Sequence, residues 1–576
     1  HKELVALEAD PRSPERGQYR FRQGLIRETA YSTLSKRERR ARHLAAARYY
    51  ETLDDDELAG LRATHYLEAF RAAPEGDEGA ALAAQARVAL RAAADRAKQL
   101  HSPEQARSYF EQAMAVTFNE EDLNDLRMRA ASAAWSAGDF DGAESHQRAA
   151  LAWAHANSGP DEVARLTARL GSWMLERSRI DEAMELLSGA LNEPGVSQSV
   201  VIELMGQLAR GHLFRSEAEQ GLAAASRALE TAEQLEVSEA SLQLIITKSW
   251  ALSQLGRFRE AVALLFGAMQ MADDEGEVLP RMRSRFNLSS FSVIDDPYRG
   301  LRVAHEAIAI ATQFGIAHAS IDGNAAHNAL LLGDFDEVLR LEADMLDVKS
   351  ALASSLHGYS AIVAALRGDT EAARERVGLF ERQTVGSTSA QDLSLVDYIR
   401  AWLALAKGEL DDAHRLAIAS RDAYAGTGSQ LSAVLAAHVA LLIGDAHRVR
   451  QDRDWLDAHR LAARWLERSG RTVSAGLLAI DGKADEALQA YRRAIEEWRT
   501  EELRLDLAFA LLERARLLGD IDAGAAVGRN EAAQLFSDMG ADGLIDRLET
   551  SAALGERQQV RSSVATRSAA GAPATR

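Results

Sequence analysis

The chain has no cysteine, which excludes disulfides, iron–sulfur centres, thiolate zinc sites and a cysteine nucleophile, and fits a reducing, cytoplasmic compartment. Proline is scarce (9 residues) and aromatics make up only 6% of 576 residues. Ala, Leu, Arg and Glu dominate instead, a mixture that favours all-α architecture. No apolar run approaches the roughly 18 residues that span a bilayer. The nearest, "LSAVLAAHVALLIG" (431–444), is short, Ala-rich and interrupted by His438, so it reads as a buried helix and no membrane partner is expected. A basic surplus is missing as well. With 67 basic against 86 acidic residues the net charge is −19, and an acidic surface repels nucleic acid.

Catalytic signatures are equally thin. "GLLAIDGKA" (476–484) has one residue too many for a phosphate loop and lacks its Ser/Thr, and "HEAIA" (305–309) lacks the second histidine of a zinc helix. "GTGSQ" (426–430) lacks the third glycine of a dinucleotide loop. The 15 histidines contain no pair three or four apart, the spacing a helical metal site needs. No catalytic residue, metal or cofactor is therefore assigned. "SKRERRARH" (35–43) gathers five basic residues and reads as a solvated or interdomain helix face.

What is present is repetition. "LLGDFDEVL" (331–339) groups Asp334, Asp336 and Glu337 around one ring, as a calcium loop would. Counting from Asp334, however, Leu339 and Met345 fall where such a loop needs glycine and glutamate. The stretch also recurs as "SAGDFDGAE" (136–144), "LGRFREAVA" (255–263), "LRGDTEAAR" (366–374), "AKGELDDAH" (406–414) and "DGKADEALQ" (481–489). Glycine and alanine persist while the acids drift, which describes a helix stop, a tight turn and a new helix.

A small or apolar marker follows each turn, at Ala106, Ala143, Ala183, Gly221, Ala261, Leu301, Val338, Ala373, Ala413, Val449 and Ala487, at intervals of 35–40 residues. A large residue often stands four later (Phe110, Leu187, Leu265, Tyr491) and a small one seven later (Ala113, Ala150, Ala190, Ala228, Ala268, Ala494). Those offsets share one helical face. The pattern resembles the tetratricopeptide repeat, which implies about eleven helical hairpins stacked in a right-handed superhelix with a concave groove. On this reading residues 86–500 are repeats, 501–550 capping helices and 551–576 a disordered tail. Trp135, Trp173 and Trp250 fall on first helices of units. Arg210, Trp250, Arg283, Asn287, Asn324 and His327 fall near groove-facing positions of successive units, where their donors suit an extended peptide or effector.

The front of the chain departs from the repeat. In "QYRFRQGLIRETAYSTLSKRERRARHLAAARYYE" (18–51), Phe21, Leu25, Ile26, Arg27, Glu28, Tyr31, Leu34, Arg39, Arg40, His43 and Leu44 resemble the winged-helix-to-repeat junction of multidomain bacterial signalling ATPases of the STAND class. Gln23 stands where those proteins often have His. With "LVALEADPRSPERGQYRF" before it, the stretch is similar to actinobacterial proteins that join a class III adenylate/guanylate cyclase, an ATPase module and a tetratricopeptide tail. The resemblance implies that residues 1–35 end a winged-helix-like segment and linker, that 36–85 are leading helices, and that cyclase and ATPase modules lie before His1. It implies a non-catalytic region that binds a protein or peptide partner in its groove and regulates those modules within one polypeptide. The alternative is the ligand-sensing region of a LuxR-type STAND transcription activator, which carries a helix-turn-helix after its closing helices.

Overall fold

The spacing of the markers is set by backbone conformation. Five residues before a marker the chain turns through the left-handed region, at His101, Gly138, Ser178, Ser216, Gly256, Gly333, Gly368, Gly408, Gly444 and Gly482, with φ between 54° and 84°. Glycine adopts this conformation without the steric cost that a Cβ carries. Each such residue ends one helix and lets the next fold back antiparallel.

The computed structural model describes residues 4–7, 19–53, 55–316, 318–345, 354–385, 387, 389–424, 426–519 and 521–550. The expected disordered tail (551–576) and residues 8–18 of the front segment lie outside them. Two compact units emerge, residues 1–166 with 314–317, and residues 167–313 with 318–576.

The first unit opens with a two-stranded antiparallel ribbon, β1 (Val5–Leu7) and β2 (Tyr19–Phe21), with Val5 opposite Phe21. Helices α1 (Gly24–Ser32), α2 (Lys36–Thr52), α3 (Ala59–Ala72), α4 (Gly76–Gln99), α5 (Pro103–Ala115), α6 (Glu120–Ser136) and α7 (Phe140–Asn157) follow, and α8 (Pro160–Glu176) begins here. Their core is largely alanine, with Tyr66, Leu90, Phe110 and Leu126 filling the spaces between helices. The basic run is absorbed locally. Ser35 and Glu38 form a capping box at the start of α2, and Arg39 bonds the carbonyls of Leu34 and Ser32 while covering the Tyr31 ring at 4.7 Å. Arg40 pairs with Glu78 at 2.6 Å. The Tyr31 hydroxyl meets His43 Nε2 at 3.0 Å, and His43 Nδ1 meets His65 Nδ1 at 2.8 Å. Tyr31 and His43 thus tie α1 to α2 and α3, and burial lowers the pKa of both imidazoles, His43 and His65.

The second unit contains α9 (Ile180–Leu191), then the hairpins α10 (Gln198–Phe214) with α11 (Ala218–Gln234), α12 (Ser238–Gln254) with α13 (Phe258–Glu275), and α14 (Val278–Ser292) with α15 (Pro297–Gln313). It continues through α16 (Ala319–Leu332) with α17 (Phe335–Asp344), α18 (Ser354–Leu366) with α19 (Thr370–Thr384), and α20 (Ala390–Lys407) with α21 (Leu410–Ala423). The last hairpins are α22 (Thr427–Ile443) with α23 (Ala446–Ala458), α24 (Arg464–Ile480) with α25 (Ala484–Thr500), and α26 (Arg504–Leu518) with α27 (Ala525–Asp538). From α4 to α25 the described residues form eleven hairpins, and the fold is an all-α, tetratricopeptide-like array.

The markers are where partner helices touch. Ala106, Ala143, Ala183, Ala261, Val338, Ala413, Val449 and Ala487 are wholly buried. At Gly221 an added Cβ would lie 2.7 Å from the Leu213 side chain and 3.2 Å from the Ala209 carbonyl, so α10 and α11 approach almost backbone to backbone. The exception is Leu301, which is only partly buried. In that hairpin the turn at Asp295–Asp296 has no left-handed residue, and α15 starts at Pro297. The close contact falls one residue earlier, at Gly300, where a Cβ would collide with Asn328 and the carbonyl accepts from Ser289 Oγ at 2.8 Å.

The second unit also closes on itself. Turns that end first helices meet helix starts roughly 140–215 residues further on. Ser178 Oγ donates to Asp392 (2.7 Å), the Arg464 and Leu466 N–H groups donate to Asp295 (2.8 Å) and to the Ile294 carbonyl (3.1 Å), and Tyr298 donates to the Glu502 carbonyl (3.2 Å). Arg504 reaches the Gly333 carbonyl (3.2 Å), and Arg547 reaches those of Leu366 (2.9 Å) and Ala406 (2.8 Å). These arginines satisfy carbonyls that a helix C-terminus leaves unpaired. Successive turns of the coil are therefore sewn along a seam.

Candidate functional site

Within the second unit, first helices of neighbouring hairpins lie side by side, and polar side chains separated by one repeat reach each other. Arg210 on α10 donates to Ser172 Oγ on α8 (3.1 Å) and to Gln207 (2.8 Å), and stands 3.6 Å from Glu176. Arg283 on α14 donates to Gln243 and to Thr247 Oγ1 (3.4 Å) on α12. Asn324 on α16 donates to the Phe286 carbonyl on α14 at 3.1 Å. The result is a polar ladder in two runs, α8 with α10 and α12 with α14 and α16.

Charge along the ladder is unbalanced. Arg210 and Arg283 sense the same Glu176, and Arg283 forms no ion pair among the described residues. Burial, and then the neighbouring Arg210, push the Arg283 guanidinium down to about 9. A guanidinium still carries its charge at neutral pH, so Arg283 is a buried cation with a second cation, Arg210, nearby. Asn287, one turn on from Arg283, makes no side-chain hydrogen bond among the described residues.

The other two sequence candidates are placed differently. Trp250 packs edge-on against Phe214 (5.0 Å between centroids) and beside the Tyr424 hydroxyl. His327 stacks on Tyr359 at 4.4 Å, with Nδ1 2.9 Å from its hydroxyl, and lies 5.7 Å from Tyr398. Burial pushes the imidazole down to about 3, so it is neutral, and Nε2 meets no partner among the described residues. Arg210, Arg283, Asn287 and Asn324 form the ladder, while Trp250 and His327 are packing groups at its flanks.

Beyond His327 the first helices converge into a core. Trp402 and His438 pack against Phe509 of α26, and Leu331, Tyr398, Leu435 and Trp465 surround a residual cavity of only about 40 Å³. Three charged groups were not anticipated there. His438 Nδ1 lies 2.5 Å from Glu513, whose side chain is wholly buried, and Asp506 accepts from Trp465 Nε1 at 3.1 Å. Burial raises Asp506 to about 6. His438 is also raised, because its carboxylate partners outweigh the burial that opposes its charge. Asp506 and Glu513 lie seven apart in "LRLDLAFALLERARLL" (503–518). That spacing puts both acids on one helical face and was the available signal. Among the described residues no cluster of three or more metal-ligating side chains occurs, and no helix is long and apolar enough to cross a membrane.

No protein-family model matches the chain, and no curated protein matches it. Among solved structures, yeast Tom70 aligns over 78% of this chain and 99% of its own, at 13% identity and a TM-score of 0.27. A STAND protein with a tetratricopeptide repeat sensor from Pyrococcus horikoshii aligns over 67% of this chain and 56% of its own, at 11% identity and a TM-score of 0.33. A Rap protein complexed with competence and sporulation factor aligns over 70% and 99%, at 11% identity and a TM-score of 0.32.

Proposed function

We propose that this is a non-catalytic interaction region whose ladder of first helices, α8 to α16, receives an extended acidic peptide. The observation that carries the reading is Arg283, a cation set beside another cation, whose hydrogen bonds go only to neutral groups and which shares the single carboxylate of Glu176 with Arg210, in a chain of net charge −19. A carboxylate bound between Arg210 and Arg283 would add a second counter-charge to that of Glu176, and Asn287 would hold the peptide backbone. The resemblance of residues 18–51 to the STAND junction supports the finer reading: a cytoplasmic region that passes its bound state to ATPase and cyclase modules of the same polypeptide. No chemistry is assigned to it.

The test is fluorescence anisotropy with a labelled acidic peptide and its neutral amide counterpart. Loss of one charge-assisted contact typically costs about 1.5–3 kcal/mol, so Arg283→Ala should weaken the acidic peptide roughly tenfold or more. Equal affinity of the two peptides, or no change in Arg283→Ala, would move the site off the ladder.

A further inference from the structure

We propose that the paired imidazoles of His43 and His65 are an acid-operated clamp on α1. The pair holds the helix against α2 while one hydrogen lies between the two rings, and releases it when each ring must carry its own. Helix α1 contains no buried residue, so apolar packing does not fix it, and Leu25 near its start is 75% exposed. Among the described residues, side chains of α2 grip it in two places. Arg39 bonds the carbonyls of Ser32 and Leu34 at its C-terminal end, and His43 bonds the Tyr31 hydroxyl at 3.0 Å. His43 is fixed in turn by His65 of α3, at 2.8 Å.

The approach of the two Nδ1 atoms at 2.8 Å is an N–H···N hydrogen bond, in which one ring donates and the other keeps a bare lone pair. With both rings neutral, His43 donates to His65 through Nδ1 and accepts from the Tyr31 hydroxyl at Nε2. A first added proton goes to His43 Nε2. That ring then donates at both nitrogens, the Tyr31 oxygen turns from donor to acceptor, and every contact survives. A second proton finds only His65 Nδ1, which sets N–H against N–H and cation against cation. The contact then breaks, and the His43 ring leaves with its bond to Tyr31. The count is the same if His65 is the donor of the neutral pair.

The surroundings support one imidazolium and not two. Glu68 of α3 favours the charged form of both rings, and Tyr50 of α2 stacks on His65 at 5.6 Å. Against them, Arg39 already places a cation over the Tyr31 ring at 4.7 Å. Burial lowers both pKa values, and His43 lowers His65 further. A histidine held below its ordinary 6.5 resists charging in the docked state. Docking is therefore full above that value and is lost as pH falls through the lowered ones. Helices α2 and α3 keep their own core, with Ala47, Ala63, Tyr66 and Leu67 buried, so the opening is confined to α1.

The chain has no cysteine, so Leu25→Cys with Val88→Cys, the latter 65% exposed on α4, supplies two unique thiols for a donor–acceptor dye pair. Energy transfer is followed in the full chain from about pH 7.5 to 5, with circular dichroism alongside. Efficiency should change below about pH 6.5 with a steepness of more than one proton, while ellipticity holds. His65→Asn keeps an acceptor, Oδ1, in the place of Nδ1 but takes up no proton, and should hold the efficiency at its starting value throughout. A flat profile in the parent, a change that tracks loss of ellipticity, or the parent's pH dependence retained in His65→Asn would overturn the proposal. Should His65→Asn fail to fold, Tyr31→Phe decides. Without the hydroxyl the helix is unclamped at every pH, and a response like the parent's would equally overturn the clamp.

Discussion

Replacing Asp506 by Asn should stabilise the protein under mildly alkaline conditions and leave it nearly unchanged in acid. Asp506 is 9% exposed, accepts from Trp465 Nε1, and faces Glu513 from the same helix and His438 from α22. Burial lifts its pKa from 3.8 to about 6. The folded state therefore holds a proton that the unfolded chain releases, and this group's contribution is full below the unfolded pKa and lost as pH rises through the folded one. A shift of that size, at about 1.4 kcal/mol per unit, sets an upper bound of roughly 3 kcal/mol. Asn keeps the carbonyl for Trp465 but removes one of the carboxylates that support His438⁺, so the net gain should be about 1–3 kcal/mol near pH 8. The assay is urea unfolding followed by tryptophan fluorescence, at steps from about pH 4 to 8. The variant-minus-parent difference isolates this site from the other carboxylates. A flat difference, or a less stable variant at the alkaline end, would show that Asp506 titrates as an exposed acid.

Other outcomes follow from the packing. Ala487→Arg puts a long cation into a wholly buried contact of α25 and should cost about 3 kcal/mol or more through overpacking and an unpaired charge, read as a lower urea midpoint. Ser216→Gly should stabilise by roughly 0.5–1 kcal/mol, because Ser216 holds φ at 62° and its hydroxyl has no partner among the described residues; an unchanged midpoint would mean the turn is not strained. Arg547→Ala uncaps the carbonyls of Leu366 and Ala406 and should cost about 1–3 kcal/mol, with hydrogen exchange rising at the ends of α18 and α20 before elsewhere.

The hairpins were legible because a local rule writes them into the sequence. A left-handed residue stands five before every marker except Leu301, and even where glycine is replaced, at His101, Ser178 and Ser216, the interval survives. The reading slipped at Leu301 because Pro297 starts α15 without that residue, moving the close contact to Gly300. The ladder was half legible. Repeat spacing put Arg210, Arg283, Asn287 and Asn324 on first helices, but it could not tell Trp250 and His327, whose rings pack on other aromatic rings, from Arg210, Arg283 and Asn324, whose donors bridge neighbouring helices. The seam left no local trace, since its partners are separated by about four or five repeats and depend on the pitch of the coil. The buried charges at His438, Asp506 and Glu513 left only the seven-residue spacing of the two acids, since the imidazole that pairs with Glu513 lies 75 residues before it. The ribbon of Val5–Leu7 with Tyr19–Phe21 is too short for alternation to show.

The seam also governs how such an array can change over evolutionary time. An open stack of hairpins gains or loses a member at little consequence, because each touches only its neighbours. Here Arg464 is keyed to Ile294–Asp296, Arg504 to Gly333 and Arg547 to Leu366 and Ala406. Deleting the α22–α23 hairpin, which lies inside every one of these intervals, would slide all of the pairings by a repeat, presenting each arginine to a turn of different sequence. The number of hairpins in this unit is thus held fixed by a phase relation between distant turns. Duplications should be tolerated only outside the stretch that the seam spans, or where they restore a whole turn of the coil.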